Sequence, residues 1–317
     1  MTLPITAPAD VIAYGLWPNT THHGERHPWT SALSALQHQP VMQQLARSRI
    51  QRLPAWSTDH PCCSHEWAYA QALGWSCPAD LLPFAALAAQ QHQLSCPLGH
   101  GWAFIDLVHT AFQQGQQFYS LPASLSEHES GVFLQAMQTY FQEDGIQLQA
   151  LAPGRYLAHG VCLKALPSKS LALVLQDGTH ALDESEPLAN QSPAQRLVRR
   201  LQNEMQMLLY THPLNEHRQQ PVNSFWLSGT GDLPSHTRTD VKLHTDLQES
   251  YLAQQPQAWA QRWLQLAEAV MWPALVQGRE LVLCAEQGCV RLSAPPTHWW
   301  QTLKHKLNPP SLVRLLS

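Results

Sequence analysis

The run from Ser126 to Val161 constrains the fold more than any other part of the chain. Ser126, with Glu129 three residues on, is the capping-box pattern that opens a helix. Val132, Phe133, Ala136, Met137 and Tyr140 then recur at helical spacing, and Asp144-Gly145 ends the element. From Ile146 to Leu151 the spacing changes to period two. Ala152-Pro153-Gly154-Arg155 turns the chain, and Tyr156–Val161 returns as a paired strand. A helix followed directly by a hairpin calls for a sheet with antiparallel pairing and a helix to cover it.

The flanking patterns extend this. Trp102–Phe112 and Phe118–Leu121 read as strands separated by a polar segment with Gly115. Nearer the N-terminus the chain reads as helical with irregular entry loops. Ser34–Arg52 carries Leu36, Val41, Leu45 and Ile50 near helical spacing, Ser64–Leu73 is ended by Gly74, and Asp80–Gln90 is kinked or started at Pro83. Downstream, Asp183–Ser192 reads as a loop. Ser192-Pro193 starts a long helix lined by Leu197, Leu201, Met205, Leu208 and Leu209, which His212-Pro213 ends. Asn223–Leu227 reads as a short buried strand, Val241–Leu247 as another, and Gln257–Val276 as a Trp-rich amphipathic helix. Glu280–Ala285 with Val290–Ala294 reads as a hairpin, and Trp300–Leu307 as a short basic helix. Hairpins mixed with strand–helix units predict an α/β (mixed α+β) fold with a mixed sheet and flanking helices. The polar loop suggests an N-terminal lobe over 1–187 and a C-terminal lobe over 188–317, or one compact unit.

Composition narrows the partners. Of the 317 residues 13% are charged, about half the usual share, and Gln and His fill much of the polar surface. The net charge is −4 and no Lys/Arg block stands out, so no nucleic-acid partner is expected. No run reaches the roughly 18 apolar residues that span a bilayer, so no membrane partner is expected. The N-terminal MTLPITAPADVIAYGLWPN lacks a basic region and a continuous apolar core, which argues against a signal peptide and for a cytoplasmic location. The seven Cys are then expected as reduced thiols.

The densest set of specific polar residues lies between Gln206 and Gly231. The loop after His212 supplies Asn215, His217 and Arg218, strand entry supplies Asn223 and Ser224, Trp226 follows, and Ser228, Gly229 and Gly231 form a Gly-rich exit. Arg218 is able to grip a carboxylate or phosphate bidentately, and backbone N–H groups at the exit are able to hold an anion. A small phosphorylated metabolite is the ligand this pattern suggests. The bland reading assigns the Asn and Ser to turn closure and Trp226 to the core.

The run RLQNEMQMLLYTHPLNEHRQQPVNSFWLSGTG closely resembles the signature of the proteobacterial RpfE-type regulatory family, whose members are often labelled cofactor-independent phosphoglycerate mutase-like. AMQTYFQEDGIQLQALAPGRYLAHG and the helix around Trp259 and Trp263 are also similar, so the likeness reaches from about Trp102 to the C-terminus. His212, Pro213, Asn215 and Arg218, then Pro221, Asn223 and Trp226, are similar to a segment of archaeal-type phosphoglycerate mutases. Those mutases need a Ser or Thr nucleophile beside two divalent metals held by Asp and His. Asp177-Gly178 lies in mid-sequence, and Asp240, His244 and Asp246 supply only three candidate ligands with no convincing nucleophile. The resemblance therefore implies a regulatory or accessory protein without a cofactor. A metal-dependent phosphomutase or phosphohydrolase, which would need a divalent metal, is the alternative.

Two further sets remain. Cys62 or Cys63 with His65, and Cys96 with His100, are weak zinc candidates against a reading as small buried thiols and biased His. His22, His23 and His27 read as solvated loop residues, and Cys284 and Cys289 as structural. The Trp-rich C-terminal segment (Trp259, Trp263, Trp272, Trp299, Trp300) is either a surface for a protein partner or core, and the spacing of Trp259 and Trp263 favours core.

Overall fold

The computed structural model describes residues 9–13, 28–54, 56, 59–113, 116–177, 191–285 and 288–294. Gly115, the loop before Gln191, His22, His23, His27, Trp299, Trp300 and the basic helix expected at Trp300–Leu307 lie outside them. Elements are numbered in chain order: β1 (Ala9–Ala13), α1 (Pro28–Ala35), α2 (Pro40–Leu45), β2 (Arg49–Arg52), α3 (Ser64–Ala72), α4 (Phe84–Gln91), β3 (Gly101–Gln113), β4 (Gln116–Ser120), α5 (Glu127–Glu143), β5 (Gln147–Ala152), β6 (Arg155–Gly160), α6 (Leu171–Asp177), α7 (Pro193–Tyr210), β7 (Ser224–Ser228), β8 (Leu243–His244), α8 (Gln248–Leu252), α9 (Pro256–Leu266), α10 (Trp272–Val276), β9 (Glu280–Ala285) and β10 (Gly288–Ser293). Among the described residues the fold is mixed α/β with two sheets. Contacts divide the chain into a unit within Met1–Ser76 and His236–Ser317 and a unit of Cys77–Ser235.

The first unit has a five-stranded sheet in the order β2-β10-β9-β1-β8. β1 runs parallel to both neighbours, while β10 is antiparallel to β9 and to β2. All five residues of β1 are buried, as expected of a strand with parallel neighbours and cover on both faces. Ile12, Leu281, Leu283, Val290 and Leu292 join one core with Trp29, Leu33, Leu45, Trp259, Trp263 and Met271. α3 packs against β1, β9 and β10. Trp259 and Trp263 are fully buried, so these rings offer no surface to a partner. The helix expected over Gln257–Val276 forms with a π turn at Ala267–Met271. Pro273 lacks the N–H that would bond one turn back, and the wider turn accommodates it.

Two expectations need correction in this unit. Ser34–Arg52 is not one helix. Pro40 opens α2 as a separate element, and Arg49–Arg52 leaves as β2, with Ile50 opposite Leu292. The strand expected at Val241–Leu247 shrinks to Leu243–His244.

In the second unit β3 is thirteen residues long and pairs antiparallel with β4, β6 and β7, and β5 extends the sheet from β6. Alternation along β3 separates its faces. Ile105 and Leu107 meet Phe133, Met137 and Phe141 of α5 and Leu201, Met205 and Leu209 of α7. Trp102 and Phe104 face Ala85, Ala86 and Ala89 of α4. Ser126 caps α5 as expected, its Oγ accepting from Glu129 N. Tyr156 donates its phenol proton to the Ser130 carbonyl at 2.7 Å, and burial raises its pKa to about 12. LALVLQ, read as an apolar run before Asp177, is the body of α6.

Candidate functional site

The His212–Gly231 segment folds into a junction tied together by its own polar groups. Pro213 ends α7, and His212 caps a 3-10 turn, its Nδ1 accepting from Leu214 N at 3.3 Å. Asn215 sits in the loop closure. Its Nδ2 donates to the carbonyls of Leu209 (2.6 Å) and Val222 (2.8 Å), and its Oδ1 accepts from Val222 N at 2.9 Å. Asn223 does for β3 what a backbone residue would. Its Oδ1 accepts from Thr110 N at 2.7 Å, and its Nδ2 donates to Thr110 O at 2.8 Å. The side chain thus continues the β3–β7 ladder past its last register pair, Val108–Ser224. Ser224 and Ser228 are buried in β7, and Trp226 donates Nε1–H to Lys169 O at 2.9 Å and meets Tyr119 edge-on.

Arg218 is engaged in the same way. One terminal nitrogen donates to Ala123 O at 3.0 Å and the other to Glu129, the residue that caps α5. Backbone and side-chain bonds from Ser126, and then Arg218, hold the Glu129 carboxyl down at about 2. The Arg218 Nε is buried without a hydrogen-bond partner among the described residues. At the exit, Gly229 (φ +73°) and Gly231 (φ +126°) run close to other backbone. A Cβ on Gly231 would lie 2.6 Å from Leu81 O, and one on Gly229 2.7 Å from the Phe104 ring. Gly229 O accepts from Ala85 N at 3.0 Å, and buried Thr230 donates to Leu166 O. The glycines thus serve close backbone packing.

The other candidates separate. Asp240 pairs with Arg238, which lowers its pKa, and His244 Nδ1 lies 3.9 Å from Asp246, beyond hydrogen-bond length. Asp177 ends α6, and its side chain lies outside the described residues. Cys96 points to His100 O at 3.9 Å, and His100 Nδ1 meets His159 Nδ1 at 3.2 Å. His65 stands with Cys63 and Glu66, and the ligand atoms of these three all lie within 4.8 Å of one another.

The capping geometry of α3 creates this last group. Cys63 is the N-cap; its backbone N–H donates to Glu66 Oε2 at 2.8 Å, and its side chain faces the Glu66 N–H. His65 lies in the same first turn. Burial lowers its pKa, against the pull of Glu66, which favours the neutral imidazole. The turn sits at the carboxyl end of β9, where Ser64 Oγ donates to Ala285 O. Glu66 was not picked out from the sequence, although Cys-x-x-Glu has the spacing of a capping box.

No protein-family profile matches the chain, and no curated protein sequence does. Among solved structures the chain is similar to the PH0037 protein of Pyrococcus horikoshii, at 11% identity and a TM-score of 0.47 over 91% of this chain and 87% of that one. It is also similar to a cofactor-independent phosphoglycerate mutase from Thermoplasma acidophilum, at 11% identity and a TM-score of 0.33 over 92% and 91%. Neither likeness reaches the level from which a shared activity follows. Among the described residues no helix is long and apolar enough to cross a membrane.

Proposed function

We propose that this chain is an accessory or regulatory protein that works by binding, and that Cys63, His65 and Glu66 hold a divalent transition metal, zinc foremost. The observation that carries the reading is the convergence of thiol, imidazole and carboxylate within 4.8 Å. These are the ligand types zinc takes, and three protein ligands leave a fourth position for water or a bound molecule. The resemblance of the 200–231 run to regulatory proteins agrees with a binding role.

A phosphorylated ligand at Arg218 has less support, because Glu129 and Ala123 already occupy its terminal nitrogens. The test is elemental analysis of untagged protein, followed by zinc titration of wild type, Cys63→Ser and His65→Ala. Stoichiometric zinc in wild type that both variants lose, at unchanged far-UV circular dichroism, supports the reading. Wild type that takes up no zinc, or variants that keep it, overturns it. Metal-dependent turnover of phosphoglycerate or another phosphate ester would replace the accessory role with that of a phosphomutase or phosphohydrolase.

A further inference from the structure

Cys284 and Cys289 occupy directly opposed positions of the β9–β10 hairpin. Their sulfurs are 2.9 Å apart, and both are free thiols. Opposed residues of an antiparallel pair have Cα atoms about 4.5–5.5 Å apart, inside the range of about 4.4–6.8 Å that a disulfide spans. The backbone therefore needs no movement for the bond to close. Cys284 is fully buried, and Cys289 retains 6% exposure, so it is the sulfur a small oxidant reaches first.

We propose that Cys284 and Cys289 are a redox-modification site that closes to a cross-strand disulfide in the presence of a peroxide. The Cys289 thiolate attacks one peroxide oxygen, and the O–O bond breaks to give a sulfenic acid and hydroxide. Cys284 sulfur then attacks the sulfenic sulfur, forming the S–S bond and releasing a second hydroxide. The two thiol protons convert both hydroxides to water, so hydrogen peroxide is reduced by two electrons as the dithiol is oxidised. A thiol compound reverses the step by exchange. Burial and the neighbouring sulfur push the Cys284 thiol up, so thiolate is scarce and the reaction is slow.

The change is felt beyond the hairpin. Reduced Cys289 directs its S–H toward Ser64 O at 3.9 Å, and Ser64 Oγ in turn donates to Ala285 O. Oxidation removes that S–H donor from the first turn of α3. The site stands whether or not the neighbouring group binds metal.

The experiment treats the folded full-length chain with hydrogen peroxide until no further change occurs, alkylates it, and weighs the tryptic peptide Glu280–Arg291, which contains both cysteines. The expected result is a peptide lighter by two hydrogens that takes no alkyl group, and takes two after dithiothreitol. Cys284→Ser should leave Cys289 as a sulfenic acid trappable by dimedone, a readout that the wild-type mass does not depend on. A wild-type peptide that still takes two alkyl groups, or carries sulfinic or sulfonic acid in place of the disulfide, overturns the proposal. So does a disulfide found only at Cys62 and Cys63.

Discussion

Glu129 caps α5 with one carboxylate oxygen and holds Arg218 with the other. The start of α5 and the loop after α7 are thereby joined through one side chain. Arg218→Ala leaves the Ala123 carbonyl and half of Glu129 without this partner. The pair is only partly exposed, so a loss of about 1–2 kcal/mol is expected, read from the urea midpoint. The depressed Glu129 pKa gives the sign with pH. A folded pKa of about 2 against 4.5 means the stability is present above 4.5 and is lost as pH falls toward 2. Glu129→Gln should therefore be less stable than wild type at neutral pH and flatten this acid limb.

Asn223 substitutes for a backbone residue at Thr110, and no smaller side chain repeats both bonds. Asn223→Ala leaves a buried N–H and a buried C=O on β3 unpaired, which costs about 2–4 kcal/mol. Asn223→Asp keeps the acceptor but sets an oxygen against the Thr110 carbonyl, and should be no better at neutral pH. Urea unfolding of the two variants checks both statements. Equal stability of Asn223→Ala and wild type would show the ladder extension to be unimportant.

The glycines permit a comparison at constant chemistry. Gly278 has φ +76° and open space around its Cα, so Gly278→Ala meets only the conformational penalty of about 1 kcal/mol. Gly231→Ala meets that penalty and a backbone oxygen at 2.6 Å, which no side-chain rotation relieves. A loss at least twice that of Gly278→Ala is expected, compared by thermal or urea midpoints. Similar losses at both positions would show that the Leu81 backbone yields.

The legible parts of the fold were those decided within a few residues. The Ser126–Glu129 cap, the hairpin at Pro153-Gly154 and the stop at Pro213 each depend on neighbours in the chain. β1 escaped notice because Ala9–Ala13 is five residues with no alternation, and its partners lie beyond residue 240. β2 is hard to see because Leu36, Val41, Leu45 and Ile50 keep a helical spacing across Pro40, which opens a separate element. The site residues follow the same rule. Arg218, Asn215 and Asn223 stand out in the sequence as members of a dense polar set. Their partners at 123, 129, 209 and 110 could not be read from the segment itself, and these partners place them in a junction.

His65 supplies the remaining prediction, because its buried ring is held neutral. A histidine whose folded pKa lies below 6.5 favours folding above 6.5, and that contribution is lost as pH falls through 6.5 toward the folded value, where the unfolded chain takes the proton first. Wild type should therefore lose stability on acidification from pH 7 to pH 5. His65→Gln, which does not titrate, should show a shallower slope over the same interval while being less stable at pH 7. Zinc, which binds only the neutral imidazole, should steepen the wild-type slope and leave that of His65→Gln unchanged. Urea midpoints of both proteins, with and without zinc, measure all four slopes. A parallel pH response in wild type and His65→Gln would remove His65 as the titrating group, and zinc steepening in both would move the metal away from Cys63, His65 and Glu66.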